Sequence, residues 1–480
     1  MPGTRACLMG SRVAAVLACL LAACGNGSTA AAPPRETGAS GFRRWPADTT
    51  VAVRLPAPAA VAARPEAFAA LLRAVGRERP SAFLFGADTT EGVTAAAPAW
   101  AALTASGAWL RALPVSDMAL ARRSFADLPR EVVAQETDGF LVLFHGTMPG
   151  QGEEPALPEG DLALRVRHHP LLATVAESGD VLEIGLQLGT GGLDARGRLL
   201  PGPGSPTTGL LARAVAGQGG LAEFFPPGLF LRVETTLPPV SVAAALARRL
   251  ARHLGFTEEK DRTTVERFLR EALTGADPEA GLAIGCEARG GELTLVLIAR
   301  DGEGPTSPIL QKVRSDERSS FGPVVLDRRD DVPKGLAGWY AWIAQATPEI
   351  EDLPECLWGA AAALADESKG VMVAYAAFDG WSVVGVGPRA DTLARATKSR
   401  LQGGTARSPG AEELRRLREE GREYVLGVVV EPGAADLPAA DLAALGAAFG
   451  GVEGARGPKA AAVAGFRSGA GLDLRIRVLY

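Results

Sequence analysis

The chain has 480 residues, 47% apolar and 22% charged, with 50 basic and 55 acidic side chains and a formal net charge of −5. That is the composition of a folded globular protein, not a disordered or fibrous one, and it is too long for one ordinary core, so two domains are expected. The acidic balance, with no basic stripe interleaved with aromatics, argues against nucleic-acid binding.

The first predicted element is a secretory signal. Arg5 and Arg12 precede an uncharged run from Val13 to Ala23, which closes on Leu21-Ala22-Ala23-Cys24. A basic start, an apolar core and small residues at the end are the order of an export signal. A core of about eleven residues is too short to span a bilayer, which needs about twenty. The Leu-Ala-Ala-Cys ending resembles the lipobox of bacterial lipoproteins. The resemblance implies a diacylglyceryl group on Cys24, removal of residues 1–23 and acylation of the new amino terminus. Two or three acyl chains anchor firmly where one alone is marginal. Gly25, rather than Asp, follows the cysteine, which in similar proteins of two-membrane bacteria implies the outer membrane. Residues 24–44, with Gly25-Asn26-Gly27-Ser28-Thr29 and Pro33-Pro34, read as a tether. No later stretch is apolar enough to suggest a membrane span.

The remainder is expected to form two domains, 45–225 and 226–480. A short phrase recurs in it: Val51-Ala-Val-Arg-Leu55, Leu162-Ala-Leu-Arg-Val166 and Leu229-Phe-Leu-Arg-Val233. Each reads as a strand with an arginine in the same slot. The pattern predicts a helix after each, over about 65–75, 169–176 and 240–254. In the third, Ala243, Leu246, Leu250 and Leu254 share one face. Hairpins follow over 181–188 with a turn near Gly191-Gly192, and over 281–298 with a turn at Gly290-Gly291. The shared order suggests internal duplication.

The last third repeats this grammar. Asp379-Gly380 between Val371–Phe378 and Trp381–Val386 predicts a hairpin with a type I′ turn. Helices are expected at about 390–401, 411–420 and 437–449, and strands at 424–430, 461–466 and 472–478. Hairpins joined by helices predict an α+β fold, with antiparallel sheets of repeated strand-helix-hairpin units and helices packed on one face. The opening Trp45-Pro46-Ala47-Asp48-Thr49-Thr50 before the first Val-x-Val-Arg strand, and the hairpin-to-helix run at 371–401, resemble exported bacterial proteins classed only as a domain of unknown function. That resemblance brings no active site with it.

After processing, Cys286 and Cys356 form the one candidate disulfide beside lipidated Cys24; two buried thiols are the alternative. Gly385-Val386-Gly387-Pro388-Arg389-Ala390 has dinucleotide-loop spacing, but its strand is half of a hairpin and Pro388 lacks an N–H, so it reads as a strand-to-helix turn. His145, His168, His169 and His253 show no metal-ligand spacing. No nucleophile elbow occurs. The acidic pairs Glu153-Glu154, Asp330-Asp331 and Glu351-Asp352, and the run from Asp327 to Asp331, read as solvated loops. Trp339, Trp342, Trp358 and Trp381 fall close together in sequence. They read as a local core or as an apolar groove for a lipid or peptide.

The sequence therefore predicts a lipid-anchored envelope protein with a non-catalytic binding or scaffolding role. Its partners would be the membrane, through the lipid, and a protein or lipid ligand; no cofactor or metal is called for. A carrier or sensor of a hydrophobic ligand is the first alternative, and an enzyme with an unrecognised site the second.

Overall fold

The structure, a computed structural model, describes residues 42–64, 91–125, 132–145, 151–167, 180–237, 281–300, 316–344, 362–435 and 459–479, apart from a few positions inside these ranges, together with Thr263, Thr264 and Arg267. The chain folds as two compact units. The first holds the residues up to Gly209 and Ser468–Tyr480; the second holds Leu210–Gly446 and Lys459–Arg467.

In the first unit, β1 (Trp45–Pro46) pairs with β7 (Gln151–Gly152). The main sheet contains β2 (Thr49–Leu55), β3 (Ala99–Thr104), β4 (Trp109–Pro114), β5 (Val132–Thr137), β6 (Phe140–His145), β8 (Leu162–Arg167), β9 (Val181–Gly189), β10 (Gly192–Leu200) and β21 (Gly471–Leu479). The order is β5-β6-β4-β3-β2-β8-β9-β10-β21, antiparallel throughout. Phe42 and Trp45 seal a core over β2, β3, β4 and β6, with Trp45 edge-on to Trp100 at 5.8 Å.

The second unit contains β11 (Leu231–Thr235), β12 (Leu282–Arg289), β13 (Glu292–Arg300), β14 (Arg318–Phe321), β15 (Val324–Arg328), β16 (Ala337–Ile343), β17 (Val371–Phe378), β18 (Trp381–Val386), β19 (Tyr424–Val430) and β20 (Ala460–Ser468). Their order is β20-β19-β11-β12-β13-β18-β17-β16-β15-β14, again antiparallel.

The expected α+β class is corrected by these sheets: the protein is mainly β. Among the described residues there are five α-helices, α1 (Pro58–Ala63), α2 (Met118–Ser124), α3 (Pro206–Arg213), α4 (Ala390–Gly403) and α5 (Pro409–Glu419), plus 3-10 turns at Leu221–Phe224 and Pro432–Ala434. The expectation missed β3 to β6 and β14 to β16. It did so although Asp138-Gly139 carries the same turn signal as Asp379-Gly380. Both pairs take positive φ, 50° and 82° at the first and 47° and 75° at the second, as a type I′ turn demands. The helices expected at 65–75, 169–176, 240–254 and 437–449 lie outside the described residues.

The recurring phrase has a topological counterpart. In each case an opening strand pairs antiparallel with the first strand of a hairpin that follows after a long connection. So β2 leads to β3-β4, β8 to β9-β10 and β11 to β12-β13. One further copy, β16 to β17-β18, lacks the arginine phrase but keeps the order.

In the second unit α4 buries Ala390, Leu393, Ala394 and Thr397, positions three and four apart that fall on one face. α5 starts where Ser408 caps it and Pro409 occupies the first turn. Leu393, Leu414 and Leu417 join Val296, Ile298, Val383 and Val429 in the main apolar core.

Candidate functional site

The densest chemistry among the described residues is a buried ionic network in the second unit. Alternation along β11 sends Arg232 and Glu234 to the same face. Their side chains meet α5, β19 and the turn at Leu221–Phe224. Only 1% of Arg232 and 2% of Glu234 is exposed. Unpaired, two charges this deep would be prohibitive, so their partners decide whether the fold can hold them.

Glu234 accepts N–H groups from Gly220, at 3.0 Å, and from Ala222, at 2.8 Å, where the 3-10 turn begins. It also accepts the hydroxyl of Tyr424 from β19, and Arg418 Nη1 lies 3.6 Å away. Arg418 Nη2 and Arg407 Nε both donate to Glu223, at 2.7 Å each. Next to this group, Arg232 Nη1 donates to Glu431 at 2.8 Å and to Ser408 at 2.7 Å. Glu431 in turn accepts the Gly410 amide in the first turn of α5, at 2.8 Å, where a carboxylate complements the helix terminus.

Glycines make this packing feasible. A Cβ on Gly427 would stand 2.0 Å from the Tyr424 hydroxyl and 3.0 Å from Glu234 Cγ; one on Gly219, at φ +62°, would stand 2.4 Å from the Tyr424 ring.

The environment fixes protonation states. Burial, then the charge of Glu234, pushes the Tyr424 phenol well above its ordinary value, so it remains a donor. Burial pulls the Arg418 guanidinium down, but Glu234 and Glu223 outweigh it and hold the group above the ordinary arginine value. The network therefore holds Tyr424 as a donor and Arg418 as a cation. Its acceptors are turned toward protein groups, which suits joining β11, β19, α5 and the 3-10 turn.

The residues singled out in the sequence fall elsewhere. Cys24 and its lipobox, Cys356, Trp358, His168, His169, His253, Glu153-Glu154 and Glu351-Asp352 lie outside the described residues. Cys286 is buried on β12, its Sγ 3.9 Å from the Glu287 carbonyl. The three described tryptophans have separate surroundings. Trp339 packs with Tyr375 and Leu326. Trp342, three residues along β16 and so on the opposite face, donates to Asp327 at 2.9 Å, with Arg318 over its ring at 5.4 Å. Trp381 stands against Phe224 at 6.0 Å, with Arg300 over it at 5.8 Å.

His145 stacks on Trp109. Gly385 to Ala390 carries antiparallel β18 directly into α4, with the Arg389 amide donating to Thr294. The run from Asp327 to Asp331 is not simply a solvated loop. Arg329 is buried and binds Asp331, at 3.0 and 3.1 Å, and Asp391 in the first turn of α4, at 3.2 and 3.3 Å.

Among the described residues no group of three or more His, Cys, Asp or Glu side chains could hold a metal ion. Nor is any described helix long and apolar enough to cross a membrane. No family model, curated protein or solved structure matches this chain.

Proposed function

We propose that this chain is a lipid-anchored protein of the bacterial cell envelope whose folded body binds or scaffolds without catalysing a reaction. The Leu21-Ala22-Ala23-Cys24 ending, placed after a short uncharged run, supports the anchor. One observation carries the non-catalytic half of the reading: the deepest ionisable groups are committed to one another. Glu234 is engaged by Gly220, Ala222 and Tyr424, and Glu431 by Arg232 and Gly410. A catalytic acid or base needs a proton it can exchange near the working pH. Tyr424 is driven away from that range. These groups serve to join chain segments.

Growth on alkyne-tagged palmitate tests the anchor. The wild-type chain takes up the tag, and the Cys24→Ser chain does not. Equal labelling of the two would refute the reading.

The carrier reading rested on the tryptophans of 339–381. The three described ones are housed separately, which gives it less support.

A further inference from the structure

The sheet of the second unit is apolar on both faces. Successive residues of a strand point to opposite sides. The helices α4 and α5 pack on one side, over Val296, Ile298, Val383 and Val429, each 0% exposed. Their neighbours in sequence form the other side. Following the register, Val463 on β20 stands opposite Val428 on β19, Val428 opposite Val233 on β11, Val233 opposite Ile284 on β12, Ile284 opposite Leu297 on β13, and Leu297 opposite Val384 on β18. All of them are half-buried. The adjoining row runs from Val430 through Leu231, Cys286 and Leu295 to Val386. Leu295 is 44% exposed. Cys286 is the buried member, in a cluster against which Ala434 and Ala435 pack from the turn after β19.

Apart from the Cys286 thiol, neither row carries a polar side chain. An antiparallel sheet face that meets water is ordinarily polar. This face therefore calls for an apolar cover, and its geometry narrows the kind. The backbone groups of β19, β11, β12, β13 and β18 are engaged in ladders on both sides. A peptide laid extended across the face would find no partners for its own N–H and C=O groups and would bear their desolvation cost. The strip is about 24 Å long and, at two residues per strand, about 14 Å wide. Its area, roughly 340 Å², is less than half of the about 800 Å² that each partner buries in a standard protein interface. A hydrocarbon chain has no polar group along its length and requires none from the face.

We propose that this strip binds an acyl chain of a lipid, laid across β19, β11, β12, β13 and β18. The proposal deepens the binding role inferred above by naming its ligand, and it rests on the anchor reading only for the source of lipid. The strip is separate from Trp381, which joins the core on the opposite face of β18.

The test uses the full chain carrying Cys24→Ser, so that no acyl chain of its own competes. The probe is palmitic acid with a photoreactive diazirine midway along the chain, and adducts are located by peptide mass spectrometry. The expected result is labelling at Leu231, Leu295 and Val384, on peptides separate from the apolar run 13–23. Unlabelled palmitate and lysophosphatidylcholine, which share only the acyl chain, should both suppress it. A chain lying on one wall buries about half of its surface, so competition should strengthen about twofold per added methylene from decanoate to palmitate. Leu295→Gln with Val386→Thr places polar groups on the strip and should reduce labelling about tenfold with an unchanged thermal melt. Adduct mapping in the unsubstituted strip decides the question even where that pair fails to fold.

Adducts confined to other peptides would overturn the proposal, because the strip would then be covered by the chain itself. So would suppression by palmitate without suppression by lysophosphatidylcholine, because recognition would then lie in the carboxylate. Protection by an amphipathic helical peptide, with none by palmitate, would overturn it in favour of a protein partner. Covalent palmitate at Cys24 is a separate readout, so failure of the anchor reading is distinguishable from failure of this one.

Discussion

Tyr424 donates its hydroxyl to Glu234 across 190 residues of chain. The contact ties β19 to β11, and through the amides of Gly220 and Ala222 it ties both to the 3-10 turn. Glu234→Gln removes the charge that accepts the Gly220 and Ala222 amides and the Tyr424 hydroxyl, while Arg418 keeps Glu223, so it should destabilise the second unit by about 2 kcal/mol, the worth of a hydrogen bond to a charged acceptor. Tyr424→Phe removes one hydrogen bond to a charged acceptor and should cost about 2 kcal/mol. Urea unfolding of both variants and the double mutant should give a combined loss smaller than the sum, because the two groups share one interaction.

Gly427→Ala places a methyl group 2.0 Å from the Tyr424 hydroxyl. It should destabilise by about 2 kcal/mol, as overpacking of a filled site does. Tyr424→Phe deletes the atom that is struck. Adding Gly427→Ala to a Tyr424→Phe background should therefore cost less than adding it to wild type, which thermal melts of the four chains would measure. Equal costs in both backgrounds would show that the hydroxyl is not the obstacle.

The phenol of Tyr424 titrates above its ordinary value because burial and Glu234 oppose its ionisation. A folded-state pKa above the unfolded one means that the contribution is complete below the unfolded pKa, about 10. It is lost as pH rises through the folded value. Unfolding free energy should thus fall on the alkaline side of about pH 10, and Tyr424→Phe should flatten that part of the profile. An identical alkaline slope in the two chains would contradict the assignment.

Local elements were legible in the sequence where a turn or cap forced them. Asp379-Gly380 fixed the β17–β18 hairpin, and the spacing of Ala390, Leu393 and Ala394 fixed α4. Fold class was not legible, because weak alternation hid strands such as β5, where exposed residues run from Val133 to Glu136. The ionic network was hidden by distance. Glu234 and Glu431 stand about 200 residues apart in sequence, and the pairing of β11 with β19 brings their segments together. Arg329 was misplaced for the same reason, since Asp391 sits 62 residues away.

The central claim is that Cys24 becomes the acylated amino terminus of the mature chain. The most direct measurement is the mass of the amino-terminal peptide of protein purified from its native membranes. The account predicts a peptide beginning at Cys24 and carrying the added mass of two or three acyl chains with their glyceryl group. An unmodified Cys24, or a mature chain that begins at another residue, would contradict it.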